Sequence, residues 1–179
     1  MWLLALGVDA SALEEVFGVH EITIRTWLCR SGMQGKKLHE RFMLELDLIH
    51  VQLDELWANV KLSSQDMWVW TACYITTKII PVIQVGGRTQ EAAYQVVHEL
   101  KGRLRPGCVP VFSTEGLRHY FYALTAHFGR WEKAEGKKSV WVLLSDFVYA
   151  QVIKHQRRRR TVQVERRMLW GEERTIGSD

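Results

Sequence analysis

From His50 to Lys61 the chain carries apolar residues rich in strand formers with two adjacent carboxylates at the centre. Side chains of a strand point to opposite faces in turn. Val51, Leu53, Glu55, Trp57 and Asn59 therefore share one face, and Gln52, Asp54, Leu56, Ala58 and Val60 the other. After a polar turn at 62–66, residues 67–75 and 78–85 predict two further strands, and the short connections predict an antiparallel meander. Pro81 has no N–H to give to a ladder, which puts the third strand at an edge. Gly86-Gly87 breaks that strand. Thr89 then caps a predicted helix, 90–104, whose Ala93, Val96, Val97, Leu100 and Leu104 recur at helical spacing.

Pro106-Gly107 closes this helix, and residues 108–113 predict a short apolar strand. A strand reached through a helix runs parallel to its neighbour, and sites collect at the C-terminal ends of such strands. That places Glu115 where it can meet Asp54. A helix over 117–128 follows, with Tyr120, Phe121, Leu124 and Phe128, then a loop over 130–138 and a strand-like stretch over 139–154. Residues 154–160 predict a basic turn, with Val162, Val164, Met168 and Trp170 alternating down a return strand.

The first 49 residues read as mainly helical. Residues 1–6 end at Gly7, and Asp9 or Ser11 caps a helix with Leu13, Val16 and Phe17 on its apolar face. Gly18-Val19-His20 makes a three-residue turn into a helix over 21–30 with Ile24, Trp27 and Leu28 at core spacing. This is a helix-turn-helix pattern, and His20, Thr23, Arg25, Thr26 and Arg30 on the second helix suit phosphates and base edges. A plain helical hairpin is the alternative, and Glu14 stands where such motifs place a small residue. Gly32–Lys37 is the expected boundary, giving a partial helix-turn-helix domain (1–33), a linker helix (34–49) bearing a packing stripe of Leu38, Phe42, Leu46 and Ile49, and a main domain (50–179).

Composition narrows the class. With 179 residues, 47% hydrophobic and 25% charged, the chain fits a globular protein. Its net charge is +4, and residues 1–129 carry 12 Lys/Arg against 13 Asp/Glu, whereas 130–179 carry 12 against 7. The positive excess thus lies near Arg157, Arg158, Arg159 and Arg160, and suggests a polyanion partner. Cys29, Cys73 and Cys108 show no disulfide or zinc spacing, which points to a reducing cytoplasm. No run reaches the length of a membrane-spanning helix, so no membrane partner is expected.

Asp54 among apolar neighbours is costly unless hydrogen-bonded, paired or coordinated. Two readings stay open: a metal ligand, or a solvated polar face on an edge strand.

With these residues in view, the chain resembles bacterial insertion-sequence transposases that use an Asp-Asp-Glu triad. The resemblance rests on Gln52-Leu53-Asp54-Glu55-Leu56-Trp57, Thr77-Lys78-Ile79-Ile80, Gly86-Gly87-Arg88-Thr89, Ser113-Thr114-Glu115-Gly116-Leu117 with Tyr120, and the run from Tyr149 to Arg160. It implies an α/β ribonuclease H-like mixed sheet, three antiparallel strands and then a parallel one, preceded by the small helix-turn-helix. It further implies DNA transposition: cleavage and strand transfer at double-stranded terminal inverted repeats, in a homo-oligomer near the bacterial nucleoid, with Mg²⁺ or Mn²⁺ held by Asp54 and Glu115. Two departures stand out. Glu115 replaces the family's second Asp, and Asp146, Glu165, Glu172 and Glu173 do not match its third acidic position. The expectation is a chain truncated relative to the family and impaired in catalysis, with a catalytically inactive DNA-binding remnant as the alternative.

Overall fold

The computed structural model describes residues 2–58, 66–133, 138–157 and 160–171. The chain divides into two compact units, Met1–Met43 and Leu44–Asp179.

In the first unit, α1 (Trp2–Ala5) is followed by α2 (Ala10–Phe17) and α3 (Glu21–Phe42). Asp9 caps α2 through the Ser11 N–H at 3.3 Å. Gly18 ends it in the left-handed region at φ 63°, a conformation glycine adopts without penalty. Glu14 has a role the sequence pattern did not suggest: its Oε2 accepts the Glu21 N–H at 2.8 Å, satisfying a donor at the start of α3. Ala10, Leu13 and Ile24 form the small core, with Leu4, Val8 and Val19 against it.

Four expectations change here. Val16, Phe17, Trp27 and Leu28 are exposed, because two helices and one turn supply too little surface to cover both apolar stripes. The expected connection at Gly32–Lys37 is helical, so the boundary placed at residue 33 falls inside α3. Helical order ends at Phe42, so 43–49 is no part of a linker helix. Of the stripe expected to pack, Leu38, Phe42 and Ile49 are exposed, while Leu46 packs against the core of the second unit.

The second unit is a mixed α/β structure. Its elements are β1 (His50–Ala58), β2 (Met67–Tyr74), β3 (Val82–Gly86), α4 (Gln90–Arg103), β4 (Val111–Thr114), α5 (Arg118–His127), β5 (Gly129–Glu132), β6 (Val140–Leu143), β7 (Val148–Arg157) and β8 (Arg160–Trp170). The six-stranded sheet has the order β3-β2-β1-β4-β7-β8. β1, β2 and β3 form the antiparallel meander, and β3 is the edge strand, with Pro81 just before it. β4 is parallel to β1 and β7 is parallel to β4, while β8 returns antiparallel to β7.

Thr89 caps α4 through the Ala92 N–H at 3.2 Å. The helical spacing of Ala93, Val96, Val97 and Leu100 buries all four against Val51, Leu53, Trp70, Phe112 and Tyr149 of the sheet and Tyr120 and Leu124 of α5, in one core. The opposite face of β1, β4 and β7 borders a shallow concavity of about 670 Å³ whose lining includes His50, Gln52, Ser113, Ala150 and Val152.

The expected loop over 130–138 instead begins with β5, which pairs with β6 in a separate two-stranded sheet and sets Trp131 opposite Trp141. Gly129 is required there, since a Cβ at that position would lie 2.6 Å from the Trp141 ring. The Trp141 Nε1–H donates to the Thr125 carbonyl at 2.9 Å and ties the hairpin to α5. Among the described residues, no helix is long and apolar enough to cross a membrane.

Candidate metal and phosphate site

Asp54 and Glu115 lie 61 residues apart in sequence and line one cleft of about 560 Å³, together with Glu55, Trp68, Arg88, Gly116, Leu117, Arg118 and His119. The parallel register explains the meeting. Leu53 of β1 pairs with Thr114 of β4, and each acid is the next residue along its strand direction.

Over residues 50–54 the burial of β1 alternates as the period-two pattern requires, with Val51 and Leu53 fully buried and Gln52 and Asp54 half-buried, whereas beyond them Glu55 is half-buried and both Leu56 and Trp57 are exposed. One Asp54 oxygen accepts the Glu55 N–H at 2.9 Å, which helps fix the carboxylate. Burial pushes the Asp54 carboxyl above its ordinary pKa and the nearby Glu115 charge pushes the same way, against the Glu55 N–H and the Lys154 ammonium. A carboxylate so placed gains from a cation beside it.

Arg88 and Arg118 line the cleft, and Lys154 reaches Glu115 at its border; two of these cations are paired with its acids. Arg88 Nη2 lies 2.6 Å from Glu55 Oε1, with its guanidinium 4.6 Å from the centre of the Trp68 ring. Lys154 Nζ, on β7, makes an ion pair with Glu115 Oε1. Bonding to Glu115 and the charges of Glu115 and Asp54 raise the Lys154 pKa. Below the cleft the Tyr120 ring meets Trp70 edge-on, at 5.5 Å and 76°. Tyr120 is fully buried, and among the described residues its hydroxyl has no hydrogen-bond partner. Burial, with the charges of Glu55 and Asp54, drives its pKa far above the usual phenol range. Gln90 and His119 join the starts of α4 and α5 by two contacts of 3.0 Å.

Mg²⁺ is commonly held by one or two carboxylates, with waters and substrate phosphates completing the shell. Asp54 and Glu115 fit that donor set for a single ion. Among the described residues, no group of three or more His, Cys, Asp or Glu is arranged around a common ion position. Asp146 lies between β6 and β7, Glu165 pairs with Arg167, and Glu172 and Glu173 lie outside the described residues.

The other site residues expected from sequence are distributed as follows. His20, Thr23, Arg25, Thr26 and Arg30 lie at the start and in the first half of α3, all exposed. Three of them have local partners. His20 Nδ1 accepts the Ile22 N–H at 3.3 Å, Arg25 pairs with Glu21, and the Thr26 hydroxyl donates to the Ile22 carbonyl at 2.8 Å. Arg157 ends β7 and Arg160 begins β8, paired across the hairpin, while Arg158 and Arg159 lie outside the described residues.

Sequence reasoning missed Lys154 as the partner of Glu115. The available signal was its spacing, two beyond Val152 on a strand parallel to β4. It also missed the Glu55–Arg88 pair, for which the sequence offered only an arginine beside the glycines that end β3. No protein-family model matches the chain, and no curated protein matches it.

Proposed function

We propose that this is a transposase-type protein with a ribonuclease H-like core, acting on double-stranded DNA through a divalent ion held by Asp54 and Glu115. The observation that carries the proposal is the meeting of these two acids, 61 residues apart, in one cleft beside the parallel β1–β4 pairing. The sheet order and the acids' positions agree with the resemblance described above, which is the second support.

A bound Mg²⁺ or Mn²⁺ would supply electrostatic stabilisation of the charge that develops on a phosphodiester during attack. The chain's own residues do the rest. Asp54 is held by its bond from the Glu55 N–H and Arg88 neutralises Glu55, while Arg157, Arg158, Arg159 and Arg160 would meet DNA phosphates. Cleavage and strand transfer are impaired in this reading. Glu115 carries one more methylene than the family's Asp, and a misplacement near 1 Å can cost on the order of 100-fold.

A second reading, a DNA-binding protein without catalysis, has its own support. Glu115 is already paired with Lys154, and no third acidic group joins the pair among the described residues. In both readings exposed side chains of α3, together with the arginine run 157–160, contact DNA, the expected target being terminal inverted repeats, and paired ends would call for a homo-oligomer.

The deciding experiment is Mn²⁺ titration by calorimetry alongside nicking of supercoiled DNA, for the parent and for Asp54→Ala. Metal binding and nicking that both vanish in the variant support the enzyme. DNA binding without Asp54-dependent metal uptake or nicking supports the non-catalytic reading.

A further inference from the structure

We propose that Lys154 is the resident counter-cation of the Asp54–Glu115 cleft, so that a divalent ion binds by displacing its ammonium from Glu115. This rests on the metal-binding reading above and adds a determinant of affinity that the two ligands alone do not supply.

The cleft's two glutamate pairs differ in a way that separates a fixed contact from an exchangeable one. Glu55 shares the face of Val51 and Leu53, and its side chain is only 11% exposed. Its partner Arg88 is planar, always charged and laid over the Trp68 ring, so the pair is anchored on both sides. Lys154 and Glu115 have side chains 44% and 41% exposed. An ammonium on a flexible four-carbon stem, paired at the surface, is held by a small net free energy, because water competes for both groups and the stem loses rotamer freedom. Such a pair can be exchanged.

The direction of the exchange follows from charge. Lys154 is hydrogen-bonded to Glu115, whereas Asp54 feels it only at longer range and also feels the like charge of Glu115. One ammonium therefore neutralises one of the two acids. A divalent ion between them answers both charges, and does so with the hard oxygen ligands it prefers. The strands set this arrangement: Thr114 pairs with Gln151 in the parallel β4–β7 ladder, and both Glu115 and Lys154 follow that pair along their strands. The lysine is thus poised on Glu115, at the border of the cleft that Asp54 and Glu115 line.

The test is calorimetric titration of Mn²⁺ into the full chain and into Lys154→Gln, Lys154→Ala, Lys154→Arg and Asp54→Asn. Thermal melts of the two neutral variants check that the fold is retained. Removing the positive charge should tighten Mn²⁺ binding roughly three- to fivefold, the equilibrium equivalent of giving up an exposed ion pair. Lys154→Arg should bind within about twofold of the parent, since the competing charge is kept. If Asp54→Asn abolishes binding while both neutral variants match the parent or bind more weakly, Lys154 does not compete and only this inference fails. If neither the parent nor the neutral variants take up Mn²⁺ in an Asp54-dependent way, the metal reading fails and this inference falls with it.

Discussion

Replacing Tyr120 with Phe should stabilise the protein, an outcome opposite to that of most core substitutions. The ring is fully buried and meets Trp70 edge-on, an arrangement that Phe keeps. Among the described residues the hydroxyl has no hydrogen-bond partner, so no protein group there replaces the water it gives up on folding. An unsatisfied buried polar group costs about 1–3 kcal/mol. Deleting the oxygen forfeits several dispersion interactions worth about 0.1–0.2 kcal/mol each, roughly 0.5–1 kcal/mol together. The balance is a gain near 1 kcal/mol, or a melting temperature raised by about 3–5 °C for a unit of this size. Thermal and urea denaturation of parent and variant, at equal m value, measure it. A variant less stable by 1 kcal/mol or more would refute the reasoning, since the hydroxyl would then be bonded in the folded protein, with the Glu55 and Asp54 carboxylates as the natural acceptors.

Asp54→Asn should abolish Mn²⁺ uptake yet raise stability at neutral pH. The folded-state pKa of Asp54 is raised, so its contribution is present at acid pH and is lost as pH rises through that pKa; denaturation across pH should show the variant's advantage shrinking towards acid. Gly129→Ala drives a Cβ into the Trp141 ring, so it should displace that indole from the Thr125 carbonyl, read as a change in tryptophan fluorescence with a loss of stability of about 1–3 kcal/mol. Leu124→Ala, at a fully buried position of α5 in the main core, should cost about 2–5 kcal/mol in the same denaturation assay. Changing Arg157, Arg158, Arg159 and Arg160 to Ala should flatten the salt dependence of DNA binding by about 0.9 in slope for each DNA phosphate that the turn neutralises; an unchanged slope would show that the turn does not touch DNA.

The meander and α4 were legible because local signals and burial agree there. Thr89 is a good cap and also the actual cap, and the apolar residues behind it fall on one face that the sheet covers. Where local and tertiary demands part, the reading failed. Gly32 and Gly35 each cost a helix about 1 kcal/mol, yet α3 runs through both, with Lys36, Lys37, Leu38, Glu40 and Arg41 as strong helix formers beyond them. The β5 strand was hidden because Gly129 looks like punctuation, and its purpose is to admit a ring from 12 residues further on. The acid pair could be anticipated from topology, since a strand entered through a helix has a known direction. Its counter-ions were harder to read: spacing on the strand hints at Lys154, but which of 24 basic residues reaches a given carboxylate depends on register across strands that sequence leaves undetermined.

The parallel pairing of β1 with β4 also bears on the order of folding events. The meander joins strands close in sequence and can form early, whereas the β1–β4 ladder must close the loop that carries β2, β3 and α4 before it gains a single bond. Asp54 is present in the meander from the start, but it has no acidic counterpart until that closure. Affinity for a divalent ion at this pair should therefore be absent from any partly folded species holding only the first three strands, and should appear with completion of the central ladder, so that Mn²⁺ uptake during refolding would time the slow, non-local step of the protein's assembly.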